Sequence, residues 1–128
     1  MNEILVPADP ADLIDRIIEL QLRIDAMPAN QRSEMLRKRD LLTRLAGRIM
    51  PPDDDLADLT EQLFTARSDI FNLTQELLAC DARKDYSTAF VALSQSLLAA
   101  MTALDRIKGA INSHVAPVIP ASTGRTDA

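Results

Sequence analysis

Leu56, Leu59, Leu63, Ala66, Ile70, Leu73, Leu77 and Cys80 follow one another at alternating spacings of three and four. That is an unbroken heptad seam, about 36 Å long as a helix. A second row, Phe64, Phe71 and Leu78, runs beside it at heptad spacing. A helix with two apolar rows must meet more than one neighbour. After the short break Lys84-Asp85-Tyr86 a matching seam follows: Phe90, Leu93, Leu97, Ala100, Leu104, Ile107 and Ile111. A short connection makes two long helices antiparallel neighbours. The pattern therefore predicts helices over about 55–83 and 87–113, folded into a long coiled-coil-like hairpin. Ser87 is the expected cap of the second arm, with Tyr86 and Val91 as its hydrophobic staple.

Upstream, Asp9-Pro10 has the form of a helix start, with Asp9 as cap and Pro10 at the first helical position. Leu13, Ile17, Leu20, Ile24 and Met27 form one row of that helix, over about 10–27. Ile14, Ile18 and Leu22 form another, more than 90° away. Two such rows place the helix either centrally in a bundle or in an oligomer interface. Pro28-Ala29-Asn30 ends it. A second helix, over about 31–50, has a weaker seam of Met35, Leu42, Leu45 and Ile49, with Lys38 where an apolar residue is expected. Pro51-Pro52 stops it, and one of Asp53, Asp54 and Asp55 caps the next.

Composition fits this reading. Apolar residues are 47% of the 128, but aromatics are 3% and tryptophan is absent, so the core is Leu, Ile, Ala and Met packing. That suits helices better than sheets. The expectation is an all-α, four-helix antiparallel bundle as one domain over 1–114. It carries a short extended N-terminal arm at Glu3–Pro7 and a flexible tail over 115–128.

Net charge is −5 and the pI about 4.7, which disfavours nucleic acid and anionic lipid as partners. One cysteine cannot form an internal disulfide and fits a reducing compartment. Residues 1–7 lack the basic region and apolar length of a signal peptide, and no apolar run of membrane-spanning length stands out. These features give a cytoplasmic expectation, without membrane insertion.

Candidate chemistry is sparse. His114 is the single histidine and has no Cys or second His beside it, so no metal site or nucleophilic centre is expected. Cys80 sits on the seam as a small hydrophobe. Asp53–Asp55 lack the alternating ligands of a calcium loop and read as capping residues. No phosphate loop, nucleophile elbow or zinc-binding helix motif occurs, and no cofactor is expected. The sharpest surface feature is Arg37, Arg44 and Arg48, one stripe of the second helix pointing away from its seam. It can receive an anionic ligand or an acidic partner, or can simply be a solvated face, and no aromatic is interleaved to stack a base. For a helical-bundle enzyme the material is Lys38, with Arg16 and Arg23 flanking the first helix.

Ile4-Leu5-Val6-Pro7, Asp15-Arg16-Ile17 and Leu20 resemble the opening of an uncharacterised bacterial family of short helical proteins, I-x-V-P-V-S-x-G-E-L-x-D-K-I-x-x-L. Cys80-Asp81, Asp85-Tyr86, Phe90-Val91 and Leu93 resemble its C-E-x-x-x-D-F-x-x-x-F-V-x-L. Ile107-Lys108 and Ile111-Asn112 resemble its closing I-K-x-x-I-N. The family's Ser and Gly before the first helix are Asp9 and Ala11 here, and its Asn-Asp in the last helix is Met101-Thr102. The resemblance implies a helical fold and a bacterial cytoplasm, carries no activity, and singles out Asp15, Arg16, Asp85, Lys108 and Asn112.

The surplus apolar rows lead to the functional expectation of a non-enzymatic interaction or assembly protein, either a homodimer or an adaptor for a protein partner. Ile14, Ile18, Leu22, Phe64, Phe71 and Leu78 are its candidate interface. The alternatives are an anion-binding module built on Arg37, Arg44 and Arg48, and a small helical-bundle enzyme.

Overall fold

A computed structural model describes residues 9–115. Its helices are α1 (Pro10–Ala26), α2 (Ser33–Ile49), α3 (Asp54–Ala82) and α4 (Thr88–Val115), with a 3-10 turn at Ala29–Gln31. No strand occurs among the described residues, and the fold is an all-α bundle of four helices. The expected arm at residues 3–7 lies outside the described residues, as does the expected tail from 116 onward. Val115, assigned to that tail from sequence, is instead helical and buried on the core. An apolar residue one turn after Ile111 continues the seam.

The helix starts follow the capping chemistry. The Asp9 carboxylate accepts the Asp12 N–H at 2.8 Å, and Asp53 accepts the Leu56 N–H at 2.7 Å. Each satisfies a donor that the helix itself leaves open. At the hairpin bend Lys84 takes the left-handed conformation (φ 59°), which lets the Asp85 N–H reach the Cys80 carbonyl at 2.8 Å and closes α3. At α4 Ser87 stands at the expected cap position, its carbonyl accepting the Val91 N–H at 3.2 Å, while its own N–H donates back to the Asp85 carboxylate at 3.1 Å in a turn just before the helix. Tyr86 packs edge-on against Phe90, centroids 5.2 Å apart, and Val91 stays half exposed.

α1 is the central helix. It packs on α2, α3 and α4, and both of its apolar rows are buried, Leu13, Leu20 and Ile24 on one side and Ile14 and Ile18 on the other. The core joins Leu13, Ile14 and Ile18 to Leu63 and Ala66 of α3 and to Leu104, Ile107 and Ile111 of α4. α2 lies mainly on α1 and has no buried residue of its own, which matches its weak seam.

Length then divides the hairpin. The 17 residues of α1 span about 25 Å, whereas the 29 of α3 span about 43 Å. α1 starts level with the base of the hairpin, because its Ala11 N–H bonds Asn112 near the end of α4. The common core accordingly stops at Ile70 on α3 and begins at Leu104 on α4. Beyond that level, among the described residues, the hairpin is two helices alone; Leu73, Leu77, Phe90, Leu93 and Leu97 are half-buried, and Cys80 under the bend is buried.

Candidate functional site

Three regions carry features that a function can use: an ionic cluster in the bundle, an apolar groove beside it, and the uncovered end of the hairpin.

The cluster is built on Asp15, whose side chain faces inward from α1 and is 5% exposed. Arg67 of α3 grips it with two bonds, Nε to Oδ1 at 2.9 Å and Nη2 to Oδ2 at 2.6 Å. Lys108 of α4 donates to Asp15 Oδ2 at 3.3 Å and lies 2.6 Å from Asp12 Oδ1. Glu19 stands 3.6 Å from Arg67 Nη1. Three helices thus meet through charge-assisted bonds. Hydrogen bonding to Asp15 raises the Arg67 pKa against the pull of burial. Burial pulls the Lys108 ammonium down, but Asp12 and Asp15 together outweigh it, so its pKa is raised. Both cations are held charged, which suits a lock and not a general base or amine nucleophile. Among the described residues no buried side-chain nitrogen or oxygen lacks a partner.

Of the five polar positions singled out by resemblance, Asp15 and Lys108 meet here, and Asn112 accepts the Ala11 N–H at 2.9 Å at the start of α1. Arg16 sits at the edge, 3.8 Å from Glu19, and Asp85 accepts the Ser87 N–H in the turn before α4, at the far end of the hairpin. Arg67 escaped sequence reading. It lies off the Leu56–Cys80 seam, one position after Ala66, where a charged residue reads as solvent-facing. The i, i+3 and i, i+4 relation of Arg67 to Phe64 and Phe71 was the available signal, because it puts Arg67 on their apolar row. Lys38, by contrast, is exposed, and Arg23 is exposed as well, so the expected enzyme material does not gather inside the bundle.

A second polar tie closes the base. His114 Nε2 lies 3.1 Å from both Asp53 carboxylate oxygens, joining the end of α4 to the cap of α3. The Leu56 N–H, and after it His114, hold the Asp53 carboxyl below its usual range. Next to it an open groove of about 410 Å³ runs between α1, α2 and α3, floored by Ile14, Ile18 and Leu56 and walled by Ala46, Met50 and Thr60.

The expected interface residues separate. Ile14 and Ile18 belong to the core of the chain itself, so they are not available to a partner in the way the sequence suggested; the reason is that α1 is central. Leu22 and Phe71 are half-buried where α1 ends against α3. Phe64 and Leu78 are exposed, Leu78 at 58%. The stripe residues Arg37, Arg44 and Arg48 are all exposed. Arg37 pairs with Glu34 at 3.0 Å on its own helix, and Arg44 and Arg48 have no carboxylate partner within salt-bridge distance among the described residues. Pairing with the acidic start of α3 does not occur.

An uncovered apolar surface that the sequence reading passed over lies on α4. α4 holds an 18-residue window of mean hydropathy 1.3, of which 6% is buried. By length and composition alone this helix could cross a membrane, although no uninterrupted apolar run reaches that length, because Ser and Thr interrupt the apolar residues without adding charge. On its outer side Val91 is 50% and Leu98 64% exposed, and from Tyr86 to Leu104 there is no charged residue. No family model matches the chain, and no curated protein or solved structure matches it either.

Proposed function

We propose that this is a non-enzymatic helical interaction and assembly protein, which self-associates or serves as an adaptor for another protein through the uncovered end of its α3–α4 hairpin. One observation carries the reading: the hairpin outruns α1, leaving half-buried seam residues and exposed Leu78, Val91 and Leu98 beyond the last layer of the core. An apolar surface of this kind, uncharged along α4 from Tyr86 to Leu104, marks a contact site for protein or membrane. The paired state of the inner charges supports a structural role for Asp15, Arg67 and Lys108. Sedimentation across the micromolar range, with pull-down by the immobilised full chain, tests the reading. A strictly monomeric species that retains no partner overturns it.

A second reading is favoured by Arg44 and Arg48, which stand exposed without an acidic partner among the described residues. In it the Arg37, Arg44 and Arg48 face binds an anionic ligand or an acidic protein surface. Charge reversal of all three abolishes such binding, and salt weakens it. Binding that survives reversal removes this reading.

A further inference from the structure

We infer that the partner at the uncovered end is a second copy of this chain, docked antiparallel on the outer face of α4 about a two-fold axis beside Gln95. This rests on the assembly reading above and names its surface and its partner.

Val91, Ala92, Gln95, Leu98, Ala99 and Thr102 recur at three- and four-residue spacings, and all are exposed. They lie on the side of α4 opposite the seam it shares with α3. A symmetric contact brings the same patch together twice, so the patch must complement itself. An antiparallel pair centred on Gln95 does this in each layer. Val91 meets Leu98 of the partner subunit on one side of the axis. On the other side Ala92 meets Ala99 of the partner subunit, and these small residues let the helices approach closely. Gln95 meets its own counterpart on the axis, where each amide has both a donor and an acceptor to offer.

Charge selects the face on which a second copy can dock. The protein carries −5 overall, and α3 presents the exposed acids Asp58, Glu61, Asp69 and Glu76. A copy docking on α3 meets like charge. Between Tyr86 and Leu104 α4 has none, so two copies approach there without repulsion. Charge enters only at the ends, where Arg106 comes level with Lys84 and Asp85 at the partner's bend. α2 lies on α1 and along the α3 side, so that among the described residues this face of α4 is uncovered. One helix pair of this length falls at the small end of specific interfaces, below about 1,200 Å² in total, so the dimer is expected to dissociate in the micromolar range.

The test is sedimentation of the full chain together with cross-linking. Wild type is expected to be a dimer, and Leu98→Glu or Ala92→Glu to raise the dissociation constant at least about tenfold with helicity unchanged, since both positions are exposed. In a Cys80→Ala background, Gln95→Cys is expected to give a covalent dimer with a short bis-maleimide, and Gln62→Cys on α3 to give none. A dimer that ignores both glutamates and does not link through position 95 overturns the α4 face while leaving assembly intact. A monomeric wild type overturns self-pairing; assembly itself then falls only if the pull-down also retains nothing. Leu98-dependent flotation with zwitterionic phosphatidylcholine vesicles by a monomer assigns the face to membrane and also overturns the proposal.

Discussion

The base and the tip of the α3–α4 hairpin have the same kind of sequence and different surroundings. Both show apolar residues at heptad spacing, Leu, Ile and Ala at the base and Leu, Cys and Phe at the tip. At the base Leu63 and Ile111 are fully buried, because α1 fills the groove between the two arms. At the tip Leu77 and Leu97 occupy equivalent seam positions but are only half-buried. The seam pairs two helices; at the tip Cys80, under the bend, is buried by them alone, but a third surface is needed to take the larger seam residues out of water. The base has that surface within the chain, fixed by Asp15, Arg67 and Lys108. The tip does not.

The largest expected effect lies in that lock. Arg67→Met leaves the buried Asp15 carboxylate with only the more distant Lys108 and is expected to cost about 3–5 kcal/mol in urea unfolding. The triple change Asp15→Leu, Arg67→Met, Lys108→Met is expected to recover most of the loss. If Arg67→Met is nearly neutral, the cluster does not fix α1. Next, Leu63→Ala at the base is expected to cost about 3 kcal/mol, whereas Leu78→Ala at the tip costs under about 0.5 kcal/mol in the monomer. Equal costs abolish the division between the halves.

Amide exchange sharpens the same contrast. In dilute monomer, amides from Leu73 to Leu97 are expected to exchange faster than those of Leu59–Ile70 and Leu104–Ile111, through local opening of the tip. Raising the concentration is expected to protect α4 near Gln95 first; uniform protection along the hairpin contradicts this. Lys84→Gly relieves the left-handed bend and is expected to stabilise the tip by about 0.5–1 kcal/mol, seen as a higher urea midpoint.

The smallest effect is at the base. The depressed Asp53 pKa means its stabilising contribution is present above the ordinary carboxyl range and is lost as pH falls through the folded value. Asp53→Asn is expected to flatten that acid-side slope; an unchanged slope removes Asp53 as its source.

The sequence alone determined the elements, because heptad spacing, Asp caps and proline breaks act within a few residues of each other. It also determined that the two long helices pair, since their seams match across a short bend. The rows of α1 admitted two answers, central helix or outer interface. Only the tertiary structure decided between them, by packing α1 against α2 and against both arms of the hairpin. It likewise decided the fate of Arg67 and Asp15, far apart in sequence. A charged residue off a seam reads as solvated until a carboxylate from another helix meets it. Which part of the Leu56–Cys80 seam stays open was equally hidden, because it depends on where α1 ends along the hairpin, a matter of relative length and docking position.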